Sequence, residues 1–150
     1  MEHETLKQWI SNAGLTGTED ADGFWLVSIS DLEITVGYME DAELVVCFAP
    51  LLELAGLEDG QRLEVLSQSL SLNGVGNLPS GCALSYETEG DVVYLLWQQE
   101  PEMLDSTRFA NAFENFKTAA IQVQEFLRGM LSEESDTVDD SEARDFVIKV

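Results

Sequence analysis

The side chains best suited to chemistry in this sequence are few and widely separated. The single histidine, His3, stands near the start of the chain, where a catalytic base would be poorly fixed. A Ser–His–Asp or Cys–His system needs such a base, so hydrolysis of that type is not predicted. Cys47 and Cys82 lie far apart in apolar surroundings, without a CxxC pair or a nearby histidine. They are expected to be buried free thiols in a reducing compartment, and no zinc site is predicted.

The remaining motifs also lack the residues that their chemistry would require. The glycine-rich stretch GVGNLPSG, residues 74–81, follows a predicted helix and precedes a predicted strand, whereas phosphate-binding loops follow a strand and open a helix. The acidic clusters at 19–22 and 40–43 fall in loops, where solvated charge is their ordinary role. The stretch DTVDDSE lacks the glycine and the closing glutamate of a calcium loop. We therefore predict no catalytic residue, no metal, no cofactor and no enzymatic activity.

The charge of the chain limits its partners. It carries 29 acidic and 7 basic residues, a formal net charge of −22. Nucleic acids and anionic lipids are bound chiefly through Lys and Arg, so neither is an expected partner, whereas a basic polypeptide would be attracted. The first residues do not resemble a signal peptide, and no continuous apolar stretch resembles a membrane span, so a cytoplasmic protein is expected.

The apolar periodicity predicts one α+β domain over residues 1–131, followed by an acidic, disordered tail over 132–150. Its elements run α-β-β-β-α-β-β-α: a helix at 5–13, a meander at 24–29, 32–38 and 44–49, a helix at 61–72, a hairpin at 83–88 and 91–98, and a long helix. Pro50 is expected to end the third strand, and Asp59 to cap the second helix.

The long helix carries the most regular apolar pattern in the chain. It is expected to begin after a cap at Asp105 or Ser106. The residues of one narrow face recur at steps of three and four: Phe109, Phe113, Phe116, Ala120, Val123, Leu127 and Met130. A seam of this kind indicates core packing, not a cofactor site.

The first and fifth predicted strands are apolar on both faces. Trp25, Val27 and Ile29 alternate with Phe24 and Leu26, and a similar alternation follows in 93–97. Helices that cover one face of a small sheet leave the other face to be covered by something else, and a partner chain is a common solution. Alternatively, Trp9, Trp25 and Trp97 simply complete a larger core.

The order of these elements and several soft patterns resemble the class I chaperones of bacterial type III secretion, the Tir-chaperone-like family. The patterns are a helix ending at Leu72 and Asn73, an acidic-glycine turn at 89–91, an apolar strand at 92–97, and Leu104 with Asp105 before the long helix. The resemblance covers roughly residues 5–131. It implies a two-layer homodimer that binds the N-terminal segment of a secreted effector in extended form and keeps it competent for secretion.

The resemblance also implies roles for particular residues and partners. The effector would be bound by the first helix and first strands, through Leu6, Trp9, Ile10, Trp25, Val27 and Ile29. The dimer contact would use the second helix and fourth strand, through Leu63, Leu66, Leu70, Leu84 and Tyr86. The ATPase of the secretion apparatus is a further partner to test. The negative charge leaves open an alternative function. The chain could be an acidic inhibitor or immunity protein that blocks a basic partner by charge mimicry.

Overall fold

The computed structural model of the chain describes residues 1–132. The helices are α1 (His3–Asn12), α2 (Asp59–Leu72) and α3 (Ser106–Ser132). The strands are β1 (Thr18–Glu19), β2 (Trp25–Ile29), β3 (Leu32–Met39), β4 (Leu44–Glu53), β5 (Cys82–Glu87) and β6 (Val92–Gln99), and a 3₁₀ turn spans Pro101–Met103. The predicted tail lies outside the described residues except for Ser132. Within 1–132, no helix is both long and apolar enough to cross a membrane.

The six strands form one antiparallel sheet in the order β1-β2-β3-β4-β6-β5. The predicted α+β class, with its meander and its hairpin, is confirmed. The hairpin joins the meander through β4 and β6, so β1 and β5 form the two edges. The short strand β1 was predicted as a loop; its two exposed, polar residues give no apolar pattern, and only pairing with β2 defines it.

All three helices lie on one face of the sheet, and the core lies between the two layers. Alternate strand residues such as Ile34, Cys47 and Leu95 point into this core and are fully buried. The predicted apolar face of α3 is confirmed. The six predicted residues of this face between Phe109 and Leu127 are buried, and Met130 packs at the margin of the core. Burial of large side chains stabilises by about 1.5–3 kcal/mol each, so α3 contributes more packing energy than either of the other helices.

The fourth strand continues past the point where the sequence predicted its end. Pro50 was expected to close the strand, yet β4 runs on to Glu53 with a register shift between Pro50 and Leu52. A bulge tolerates proline, because a ladder hydrogen bond is already interrupted there. Gln124 of α3, itself buried, donates from Nε2 to the carbonyl of Leu51 at 3.1 Å and satisfies this irregular backbone.

Side-chain hydrogen bonds tie α2 to the hairpin. Asn73, just after the helix, accepts from the backbone N–H of Leu84 at 2.7 Å and donates to its carbonyl at 3.0 Å. At the other end, the residue before the helix is Glu58, and its N–H donates to Gln61 Oε1 at 3.0 Å. The predicted cap Asp59 is instead the first helical residue, because the helix begins two residues earlier than the predicted start at 61. Both ends of α2 are therefore fixed.

Candidate functional site

The groups with the greatest chemical capacity serve structural purposes. His3 stacks on Trp25 with ring centroids 4.7 Å apart, and its Nε2 lies 2.8 Å from Glu19 Oε1, so it joins the start of α1 to β1 and β2. Cys47 is completely buried, and burial raises the pKa of its thiol. Cys82 was also predicted to be buried but is only partly so; burial still raises the pKa of its thiol to about 12. A thiol with a raised pKa is a poor nucleophile at neutral pH, because little thiolate is present.

The acidic residues are dispersed. Among residues 1–132, no group of three or more His, Cys, Asp or Glu side chains could hold a metal ion. Asp91 is held by two side chains: it accepts from both terminal guanidinium nitrogens of Arg62, at 2.7 and 2.9 Å, and from Tyr86 Oη at 2.6 Å. The hydrogen bonds from Arg62 are the main reason that the pKa of Asp91 falls to about 2. This cluster connects α2, β5 and the hairpin turn, and it is a structural clamp.

The residues predicted to bind an effector fall into two groups. Leu6, Ile10, Trp25 and Val27 lie in the core, each at most 5% exposed, because α1 packs its apolar face onto the sheet. Their side chains are therefore not on the surface of the single chain. Trp9 and Ile29 are only half-buried and pack at the edge of the core. The part that this region plays in effector binding remains a prediction. Of the six predicted residues, only Trp9 and Ile29 lie partly at the surface.

Most of the residues predicted for the dimer contact come together. Leu66, Leu70, Leu84 and Tyr86 line one groove of about 200 Å³ between α2 and the edge strand β5. Leu63 and Leu70 project from α2 with 68% and 73% of their surface exposed, whereas Val65, Ser69 and Leu72 face the core. The leucines at positions 63, 66 and 70 thus form one stripe, here called the α2 stripe. Leu66 is partly buried against the core, whereas residues 1–132 leave Leu63 and Leu70 largely uncovered.

A second apolar surface lies on the face of the sheet opposite the helices. Strand pairing places Phe48 beside Leu96, and Pro50 beside Tyr94, on this outer face. They line a groove of about 380 Å³, here called the outer groove, together with Met39, Val46, Glu87, Val92 and Gln98. The sequence indicated that both faces of the strands are apolar. It did not show which face the helices would leave open, because packing decides that.

The outer groove is centred on β4 and β6 because another side chain covers the neighbouring strand. The ring of Phe24 lies over Gly37 of β3, at a distance that leaves no room for a Cβ atom there. Gly37 pairs with Val46 and so belongs to the same outer face. Glycine at this position lets an aromatic ring cover β3, while β4 and β6 remain open.

Positive and negative charges are distributed unequally between the two layers. Every Lys and Arg within residues 1–132 lies on a helix: Lys7, Arg62, Arg108, Lys117 and Arg128. The strands carry only acidic charges, among them Glu33, Glu53 and Glu87, which are exposed. The outer face therefore offers apolar surface and negative charge to a partner.

Comparison with known proteins identifies the family. The sequence model of the Tir chaperone protein (CesT) family matches residues 4–124, which include every element from α1 into the second half of α3. No curated protein sequence matches the chain. The family match thus covers most of the chain and agrees with the resemblance found in the sequence.

Solved structures share the fold. The Yersinia pestis type III secretion chaperone SycH, in complex with a fragment of YscM2, matches with 16% identity over 81% of this chain and 98% of that chain, at a TM-score of 0.55. The ExoU–SpcU complex of Pseudomonas aeruginosa matches with 16% identity over 79% and 93%, at 0.56. YbjN of E. coli, a candidate transcription regulator, matches with 11% identity over 90% and 93%, at 0.64. At such identities the likeness establishes the fold alone.

Proposed function

The chain belongs to the Tir chaperone protein (CesT) family, and on this basis we propose that it is a chaperone of type III secretion in the bacterial cytoplasm. It binds the N-terminal segment of a secreted protein, here called the client, and keeps that segment extended and competent for export. The chaperone has no enzymatic activity in this role, because it acts by binding alone. The observation that carries the proposal is the family match over residues 4–124.

The solved structures support the proposal in a limited way. SycH and SpcU were both solved with a protein partner, the YscM2 fragment and ExoU respectively. The same fold also occurs in YbjN, for which a different role has been suggested. The fold alone therefore does not identify a chaperone, and the family match is what favours this function.

The surface of the chain is suited to holding an extended polypeptide. Within residues 1–132, the edge strands β1 and β5 each have one side without a neighbouring strand, where a client segment can add main-chain hydrogen bonds. Trp9 and Ile29 are half-buried at the margin of the core and offer apolar contact to the side chains of a client. Ordering an extended segment costs free energy, so a chaperone needs apolar contact of this kind in addition to charge.

We further propose that the working unit is a homodimer formed through the α2 stripe. Leu63 and Leu70 are too exposed to contribute much to the fold of one chain, and the groove beside them is lined by Leu84 and Tyr86. A second copy related by twofold symmetry would place the same leucines against each other and cover both stripes at once. The clamp around Asp91 holds Tyr86 and α2 in a fixed relation for this contact.

The function is tested by co-expressing the chain with secreted proteins of its own bacterium and measuring the mass of what co-purifies. The expected product is a complex of two chaperone chains and one client that persists in about 1 M salt, because apolar burial depends little on screening. Binding that collapses as salt rises would instead favour the acidic inhibitor. A chain that retains no secreted protein at any salt concentration contradicts the proposed function.

A further inference from the structure

The outer groove is separate from the chain's own core. Phe48, Tyr94 and Leu96 are half-buried, yet none of them packs against the buried cluster beneath the helices. Within residues 1–132, Phe24 covers only the β3 part of this face, and all three helices lie on the other side of the sheet. A continuous apolar surface left open on a small domain is typical of a binding site.

Carboxylates stand at both ends of this groove. At one end Val92 pairs with both Glu53 and Glu87, so two glutamates flank it on the outer face. At the other end Met39 pairs with Leu44, and the turn between them carries Glu40, Asp41 and Glu43. None of these five carboxylates has an ion-pair partner within the described part of the chain.

These charges decide between possible occupants. A second copy of the chain placed on the same face would bring its own carboxylates against these, and like charges at short distance oppose binding. An anionic lipid or a nucleic acid is disfavoured for the same reason. The complementary occupant has apolar side chains in its centre and cations at its ends.

From this arrangement we propose that the outer groove binds a short apolar segment of the client that is flanked on both sides by Lys or Arg. The proposal rests on the chaperone function above and names the type of client sequence recognised at this face. From Leu44 to Glu53 the strand rises roughly 30 Å, at about 3.3 Å per residue, so an extended segment of about ten residues fits. The apolar contacts hold the segment, and the terminal charges select it.

The test uses three labelled synthetic peptides with one alternating Val/Thr centre of about ten residues. Their ends carry two lysines, two serines or two glutamates on each side. Fluorescence anisotropy with the full chain at low salt is expected to show the lysine peptide binding about tenfold more tightly than the serine peptide, with the glutamate peptide weakest. Equal binding of all three peptides, or no binding of the lysine peptide, overturns the proposal.

Two matched variants test whether the preference for lysine-ended peptides depends on the carboxylates of the outer groove. Glu53→Lys/Glu87→Lys removes the carboxylates at one end of the groove and is expected to weaken the preference for lysine ends severalfold. Glu4→Lys/Glu125→Lys makes the same change in net charge on the helical layer and is expected to preserve it. All four positions are exposed, so both variants should fold. If the two variants lose the preference equally, the effect is one of overall charge and the assignment to the outer groove is wrong.

Client capture separates this inference from the proposed function. Leu96→Glu places a charge in the centre of the outer groove, and co-purification of client with this variant is expected to fall at least about tenfold. If the variant retains client as well as the wild type does, the outer groove is not used and the chaperone function still stands. If the wild type itself retains none, the chaperone function fails.

Discussion

Replacing Leu63 and Leu70 together by serine should separate the proposed dimer into folded monomers. The two leucines are 68% and 73% exposed in the single chain, so most of their apolar surface remains to be buried. Full burial of a leucine stabilises by about 1.5–3 kcal/mol, so the two contribute about 2–4 kcal/mol per chain and about 4–8 kcal/mol in a twofold-symmetric pair. Even the lower value corresponds to an increase of about a thousandfold in the dissociation constant of the dimer.

Sedimentation equilibrium over a range of concentrations measures that constant directly. Val75→Ser is the matched control, because Val75 is fully exposed in the loop after α2 and is not part of the stripe. The control should dimerise like the wild type, and the far-UV circular dichroism of both variants should be unchanged. A wild-type chain that remains monomeric at about 100 µM, or a double variant with an unchanged dissociation constant, would refute the role of the α2 stripe.

Three further predictions concern the fold itself. The pKa of Asp91 is lowered to about 2 from an ordinary value near 3.8, so its contribution to the free energy of unfolding is present above about pH 4 and is lost as the pH falls toward 2. Urea unfolding of Asp91→Asn should therefore show a smaller loss of stability over that range than the wild type. Cys47 and Cys82 should react slowly with a thiol reagent at pH 7 in the native protein and rapidly in denaturant. Fast labelling of Cys47 in the native protein would contradict its burial. Phe116→Ala should lower the free energy of unfolding by about 3–5 kcal/mol, whereas Met103→Ala, at an exposed site, should change it little; equal losses would be inconsistent with the packing of α3.

The long helix could be predicted from the sequence because its pattern is local and repeated. Steps of three and four residues from Phe109 onward define one face, and a single helix period accounts for all of them. The polar Gln124 could not be placed in the same way. Its burial depends on the bulge in β4, where its amide meets the carbonyl of Leu51, and the two residues are far apart in sequence.

The candidate surfaces were predicted only in part, because exposure is decided by how elements pack. The resemblance implied a dimer contact through the second helix, and Leu63 and Leu70 do project outward. It also implied that Trp25 and Val27 bind the effector, whereas in the single chain α1 covers their face of the sheet and they belong to the core. Alternation in a strand shows that two faces exist. Only the packed helices determine which of the two remains free.

The terminal histidine shows a similar limit. His3 was expected at a poorly fixed end of the chain, but it is the first residue of α1 and contacts both Trp25 and Glu19. Those contacts join residues that are distant in sequence, across three different elements. Composition and spacing contain no signal for such a contact. They do show that His3 is the only histidine in the sequence.

The central claim is that the chain holds part of another protein in extended form, and hydrogen–deuterium exchange of the client within the purified complex tests it most directly. We expect the N-terminal segment of the client to be protected from exchange in the complex, and this protection to be absent from the free client and from the dissociated complex. Protection confined to an independently folded domain of the client, with the N-terminal segment exchanging freely in the complex, would contradict it.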